Sequence, residues 1–143
     1  MAELDKKLRP VVGIGVMIIK DEKVLLGKRK GSHGEGEYCF PGGHLEYMES
    51  FVGCVVREVR EEAGIEISNV RFLRLYNEKE YVPKHYVNIA FVADWESGVA
   101  KVCEPDKLES WGWYDMDNLP VPLYATIPSL IESYKSGKNF YDA

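Results

Sequence analysis

What this chain has little of narrows its class before any motif is read. It holds 3 cysteines in 143 residues, Cys39, Cys54 and Cys103, and no two form a Cys-x-x-Cys pair. That argues against a disulfide scaffold or a zinc site, and for buried thiols in a reducing compartment. The one hydrophobic run near the start, Val11 to Ile19, is far too short to span a bilayer. It lacks a small-residue cleavage site and runs straight into Lys20-Asp21-Glu22-Lys23, so it does not read as a secretory signal. A cytoplasmic protein without a membrane partner is expected. There is no basic block, and the net charge is −5, which argues against long nucleic acid as a partner. A small polyanion carried with a divalent cation remains compatible, because the metal supplies the missing positive charge. Internal repeats, linkers and low-complexity tracts are also missing. Residues 1–143 therefore read as one domain with a real core, and 45% apolar with 29% charged residues is ordinary for a globular chain.

Residues 1–9 are charged and expected to be loosely held. Val11 to Ile19, rich in Val and Ile, reads as a buried strand. Asp21-Glu22-Lys23 makes a tight turn, and Val24-Leu25-Leu26 pairs back as its hairpin partner, ending in Lys28-Arg29-Lys30. Three cations at a strand end are either solvated or within reach of a phosphate. Gly31 to Gly36 is a flexible loop without the Lys-Ser/Thr ending of a phosphate-binding P-loop, and His33 within it reads as an exposed residue. Tyr38-Cys39-Phe40 is a short strand, and Pro41-Gly42-Gly43 a turn whose glycines allow close backbone approach to a metal or phosphate. Val70 to Tyr76, His85 to Trp95 and Glu109 to Tyr114 alternate as strands, the last with Trp111 and Trp113 on one face. A final helix is capped by Thr126, takes Pro128 in its first turn, and docks through Ile127, Leu130, Ile131 and Tyr134 before Gly137 ends it. Two helices and these strands suggest an α/β chain with a mixed sheet covered on both faces.

The most informative stretch runs from Gly43 to Ile65. Ser50 is a good N-cap and Gly64 a good residue just past a helix end. Phe51, Val52, Val55, Val56, Val59 and Ala63 share an arc that faces a core, while Glu58, Glu61 and Glu62 share a neighbouring one. Like charges at i, i+4 repel, and acids in the last turn oppose the helix dipole. Two readings fit: a solvated acidic face, or a site for Mg²⁺, which takes hard carboxylate oxygens and shares its shell with phosphates.

Gly43, Glu49, Arg57, Glu58, Val59, Glu61, Glu62, Gly64 and Ile65 fill all nine fixed positions of the Nudix box. On them the chain resembles the Nudix (MutT-type) hydrolases. Leu25 to Ser32, Pro41 to Glu46, and Glu104-Pro105 followed by Glu109-Ser110-Trp111 are similar to the small MutT-homologue-two-like and plant cytosolic branch. The resemblance implies the Nudix fold, an α/β/α sandwich with a mixed sheet. It also implies Mg²⁺-dependent (or Mn²⁺-dependent) hydrolysis of a nucleoside triphosphate, modified or oxidised bases included, to a monophosphate and pyrophosphate. By the same resemblance Glu58 and Glu62 hold the metal, Glu61 is a further ligand or base, and the Gly42 or Gly43 carbonyl completes the shell. Arg57 pairs with Glu49, and Glu104 stands for a late-loop acid that joins the metal in some relatives. Arg29 or Lys28 would steady the phosphates; Phe40, Leu45 and Tyr124 are the candidates for contact with the base. Tyr81, about sixteen residues past the box, keeps dinucleoside polyphosphates or nucleotide sugars open as alternative substrates. A non-catalytic nucleotide-binding module is the alternative of another class, although such relatives usually lose box acids that are all present here. The expected partner is a small nucleotide, and the expected state a monomer or homodimer.

Overall fold

The computed structural model describes residues 8–142; the expectation of a loosely held 1–9 lies, for residues 1–7, outside the described residues. The elements in order are β1 (Val11–Lys20), β2 (Lys23–Arg29), β3 (Tyr38–Cys39), β4 (Gly42–His44), α1 (Phe51–Ala63), β5 (Glu66–Glu78), β6 (Tyr86–Ser97), β7 (Leu108–Asp115), α2 (Ile127–Ser136) and β8 (Phe140–Tyr141). Among the described residues, eight strands join one mixed sheet ordered β3-β2-β1-β6-β5-β8, with β4 beside β1 and β7 beside β2. β1 runs parallel to β6 and β5 to β8; the other pairs are antiparallel. The β1–β2 hairpin closes through Asp21 and Glu22, both at positive φ (50° and 66°), as a two-residue turn matched to strand twist requires.

Alternation along β1 sends Ile14, Val16 and Ile18 toward α1 and Met17 toward α2, so the sheet has a core on each face. α1 is fixed at both ends by local chemistry. The Ser50 hydroxyl accepts from the Gly53 amide at 3.0 Å, and Gly64, at φ 68°, donates to the carbonyls of Val59 and Arg60. Val55, Val59 and Ala63 are buried as expected. Phe51 and Val52 are not, with 47% and 51% of their surface exposed. They lie on the correct arc, but the first turn projects past the layer it packs on. Cys54 is buried instead, under the returning loop, its thiol donating to the His44 carbonyl at 3.6 Å.

Other expectations also change. The turn expected at Gly42-Gly43 is strand β4, with Ile14 opposite Gly43 and Gly15 opposite Gly42. Thr126 stands at the start of α2 with helical backbone (φ −83°, ψ −11°), and its hydroxyl makes no cap. N-caps need extended backbone to aim the side chain at the free amides. Tyr134 is 38% exposed, and Ser133 takes the buried place, donating its hydroxyl to the Lys138 carbonyl. Trp111 and Trp113 both pack on the α1-side core. Trp111 covers Gly27 so closely that a Cβ there would sit 2.7 Å from the indole ring.

On the α2 side, Arg74 is wholly buried. Its guanidinium lies 4.4 Å from the Tyr76 ring and 4.8 Å from the Tyr141 ring. It donates to Ser129 Oγ at 2.7 Å and to the Thr126 carbonyl at 3.0 Å. β8 is thereby pinned to β5 and α2.

Candidate active site

A cleft of about 850 Å³ opens where β4, β1, β6 and β5 run out beyond α2. At its β4 end, α1 presents Glu58 and Glu62. Gly42 and Gly43 are the reason these acids reach the cleft from the other face of the sheet. A Cβ on Gly43 would run into the Glu58 carboxylate, and one on Gly42 into the Ile14 carbonyl. The Gly42 amide donates to Glu62 Oε1 at 2.8 Å, and the Trp111 indole N–H donates to the Glu62 carbonyl at 3.0 Å, fixing the helix against β4 and β7.

Arg57 organises the remaining box acids. Its Nε and Nη2 meet the two Glu49 oxygens at 2.6 and 2.9 Å, a parallel pair of charge-assisted bonds. Nη1 reaches Glu58 Oε1 at 2.8 Å and Glu61 Oε1 at 3.0 Å, and Nη2 reaches the His44 carbonyl at 3.2 Å. One guanidinium thus ties the 44–49 loop to the helix. It holds the Glu49 carboxyl down at about 2, chiefly through the hydrogen bond between them.

Glu62 behaves oppositely. Burial pushes its carboxyl up to about 8, the Gly42 amide offsets part of this, and the charges of Glu58 and Glu104 add to it. Burial likewise raises Glu58, against the pull of Arg57. Two carboxylates desolvated side by side, against glycines that admit no side chain, make a donor set suited to a hard divalent cation. Among the described residues, no three His, Cys, Asp or Glu side chains converge closely enough to hold a metal as they stand. Glu61, 45% exposed, turns outward onto Arg57. Glu104 stays off the cleft lining, paired with Lys107 at 3.6 Å, and acts on Glu58 and Glu62 through its charge.

The other end of the cleft was harder to foresee. Phe40 and Tyr124 line the cleft as expected. Leu45 does not; it packs against the α1-side core, because β4 turns its side chain to that face. Lys28 also points away and pairs with Glu109 on β7 at 3.4 Å. The β2–β7 register slips between Lys28 and Arg29, and such a bulge re-aims the side chains on either side of it. Arg29 does enter the cleft. Most of its donors are engaged: Nε with the His33 carbonyl at 2.9 Å, Nη2 with Ser32 Oγ at 3.1 Å, and Nη1 with Cys39 Sγ at 3.7 Å. It shapes the 31–36 loop and also places a positive charge in the cleft.

His33 is no exposed loop residue. Arg29 folds the loop inward, and His33 Nε2 meets the Tyr124 hydroxyl at 3.1 Å. That hydroxyl donates to Glu78 Oε2 at 3.0 Å. His33 Nε2 also lies 3.4 Å from Arg29 Nη2, which can only donate, so the tautomer of His33 decides which of the two neighbours it bonds. Tyr81 stacks on Tyr124 with ring centroids 4.3 Å apart. Its hydroxyl accepts from the Ala125 amide at 2.7 Å and donates to Glu37 at 2.8 Å. It supports the cleft wall from behind and does not line it.

Glu78 and Asn88 line the cleft and went unnoticed in the sequence. A signal was present: Asn88 shares its strand face with buried Ala90 and Val92, and Glu78 shares its face with buried Arg74. Polar residues on a core-facing parity are where a sheet opens onto a site.

The sequence matches the family model described as the NUDIX domain over residues 9–134. It is 33% identical over 133 residues to an ADP-ribose pyrophosphatase of Methanocaldococcus jannaschii, covering 92% of this chain and 77% of that protein. It is 34% identical over 122 residues to the NAD-capped RNA hydrolase NudC of Vibrio atlanticus, covering 82% of this chain but only 43% of NudC. A crystal structure of a MutT NUDIX hydrolase from Burkholderia pseudomallei superposes with a TM-score of 0.82 at 33% identity, covering 87% of this chain and 98% of that one. The NUDIX domain of Shewanella oneidensis NrtR, in complex with ADP ribose, shares the fold with a TM-score of 0.77 at 19% identity, covering 90% and 88%.

Proposed function

The chain belongs to the NUDIX family of hydrolases, and on that premise we propose that it cleaves a nucleoside triphosphate to a nucleoside monophosphate and pyrophosphate. One observation carries this reading. Glu58 and Glu62 meet Gly42 and Gly43 at one end of a single cleft that also takes in Tyr124 and Glu78 on its wall away from β4. Such a space suits one nucleoside and its phosphates. Lys30, Lys84 and Lys107 on the rim add charge complementary to a polyphosphate.

Glu58, Glu62 and the Gly42 or Gly43 carbonyl would hold Mg²⁺, with Glu61 beside them and Glu104 contributing its charge. When bound, the metal neutralises phosphate charge and polarises the phosphorus that water attacks. Glu58 and Glu61, both steadied by Arg57, are the proposed acceptors of that water's proton, a contribution of about 10²–10⁴ in rate. Arg29, its guanidinium 4.8 Å from the Tyr124 ring, places its charge at that end of the cleft and acts on the phosphates through it.

The likeness to the MutT-homologue-two-like branch rests on the stretches named above, while the relatives described above are archaeal and bacterial. A second reading, cleavage of a nucleoside diphosphate joined to a further group, is favoured by the M. jannaschii relative. Nucleoside triphosphates, ADP-ribose and dinucleoside polyphosphates, each incubated with Mg²⁺ and resolved by ³¹P NMR, separate the two. Monophosphate with pyrophosphate as the fastest product pair supports the first. Diphosphate with orthophosphate, or turnover of ADP-ribose alone, refutes it.

A further inference from the structure

The α1 face of the sheet extends beyond the helix that covers it. Ile14, Ile89, Leu75 and Phe140 are partners across β1, β6, β5 and β8 and so form one row. Paired residues of neighbouring strands point to the same face, and Ile14 belongs to the α1-side core. Tyr141, next after Phe140, turns the other way, onto Arg74. The adjoining row, Val16, Phe91 and Phe72, also faces α1. α1 reaches that row with its first residue: the Phe51 ring lies 6.1 Å from the ring of Phe91. Past it, no second layer stands over the apolar surface among the described residues. Phe72 is 55% exposed and Phe140 57%, and Leu75 and Ile89 beside them are only partly buried.

The face therefore has a step. On one side the first turn of α1 carries Phe51 and Val52, both exposed, a helix layer or about 8–10 Å above the sheet. On the other side lies a shelf of bare sheet on β5 and β8. The free edge of β5 is a poorer place for a partner to attach. Its ladder with β6 shifts register between Glu66 and Ile67, Ser68 and Arg71, and Phe72 and Arg74, and such bulges turn an edge away from pairing. What this side of the molecule offers is the face.

We propose that a second copy of this chain covers this face, in a two-fold dimer that sets the first turn of α1 of each protomer on the β5–β8 shelf of its partner. Shape favours a second copy over another protein. The step supplies both halves of a contact, a raised apolar turn and a shelf one helix deep beside it. A two-fold rotation fits each half into the other, which is the self-complementarity an isologous interface requires. Area agrees. A phenylalanine covers about 150–250 Å², so Phe51, Phe72 and Phe140 at about half exposure, with Val52 and the partly buried aliphatics, leave roughly 400–500 Å² of apolar surface. A standard interface takes about 800 Å² from each partner, and in homodimers about 65% of it is apolar. The patch is thus the size of the apolar part of one such interface. The cleft opens on the opposite face of the sheet, beside α2, so the dimer leaves it accessible.

Sedimentation equilibrium of the unaltered protein, at protomer concentrations from about 1 to 100 μM, is the first test. A species of twice the 16.3 kDa chain mass is expected; a monomer throughout overturns the proposal. Phe140→Lys and Val52→Lys change exposed positions on the two halves of the step. Each should raise the dimer dissociation constant by about ten- to a hundredfold, the worth of one central interface side chain, while the far-UV circular dichroism stays the same. The pairing of the halves has its own test. Phe140→Lys mixed with Phe51→Glu should associate more tightly than either variant alone, because the two-fold sets the new charges opposite each other; a mixture no tighter than its components refutes that pairing. A dimer indifferent to Phe140→Lys and Val52→Lys lies on another surface and overturns the proposal. If the full chain is monomeric and a form lacking residues 2–7 dimerises, the chain's own N terminus is the occupant, and the proposal is overturned in that case too.

Discussion

Replacing Glu62 by glutamine should remove activity and, in the metal-free protein, raise stability. Burial holds this carboxyl at about 8, against an ordinary value of 4.5. The folded chain then keeps a proton that the unfolded chain releases between those two values. Stability must therefore fall as pH rises from 4.5 to about 8, and level off above. An acid kept protonated roughly 2.5 pH units beyond its normal midpoint, as at about pH 7, costs about 3 kcal/mol at 1.36 kcal/mol per unit. Glu62 retains some solvent contact, so about 1–3 kcal/mol is the expected range. Glutamine keeps the acceptor for the Gly42 amide and carries no charge, so it should recover that amount. For a chain of this size the gain is about 3–10 °C in Tm. Differential scanning calorimetry in EDTA at pH 5 and pH 8 reads it: the two proteins should nearly coincide at pH 5 and separate at pH 8. Added Mg²⁺ should raise the Tm of the unaltered protein and leave the variant nearly unmoved. A variant Tm at or below that of the parent at pH 8 in EDTA would refute the account of Glu62 as a buried acid awaiting a cation.

Gly43→Ala should cut kcat at least a hundredfold while far-UV circular dichroism stays the same, because the new methyl displaces the Glu58 carboxylate; near-normal turnover would show that the close approach is irrelevant. Glu49, held at about 2 by Arg57, contributes stability that is present above pH 4.5 and lost as pH falls toward 2. Acid-unfolding curves of Glu49→Gln should lack that part of the parent's decline, and parallel curves would contradict the pairing. Arg29→Ala should lower kcat/KM by about ten- to a hundredfold and loosen the 31–36 loop, seen as faster amide exchange there. Arg29→Lys should recover only part of both, because lysine keeps the charge and loses the fork; a loss under about twofold in Arg29→Ala rules out a phosphate role.

What the sequence made legible was local. Ser50 and Gly64 bound α1 by backbone geometry that needs no tertiary partner, and the pairing of Arg57 with Glu49 followed from the resemblance to the Nudix box. Errors arose wherever a side chain's direction is decided at a distance. The parity of Lys28 and Arg29 is set by a register slip against β7, and that of Leu45 by β4, a strand too short to show as one. Phe51 and Val52 have the right helical phase, but phase does not say where the partner layer ends. His33 faces inward only because Arg29, four residues away in sequence, collects the loop's carbonyl and hydroxyl. Asn88 and Glu78 looked like ordinary polar interruptions of strands, and only the folded sheet brings them into one cleft.

The short parallel strand β8 bears on how this protein behaves when handled. It bonds with β5 only at Leu75 and Tyr76, and its hold comes mainly from the Arg74 guanidinium between Tyr76 and Tyr141. Proteolytic removal of the chain from Gly137 onward would uncover the edge of β5 at Leu75 and Tyr76, joining the parts of that edge that β8 does not cover, and leave Arg74 stacked on one ring instead of two. A longer continuous open strand edge templates pairing with other chains. Trimming here should therefore show first as loss of solubility on storage, before any change in turnover.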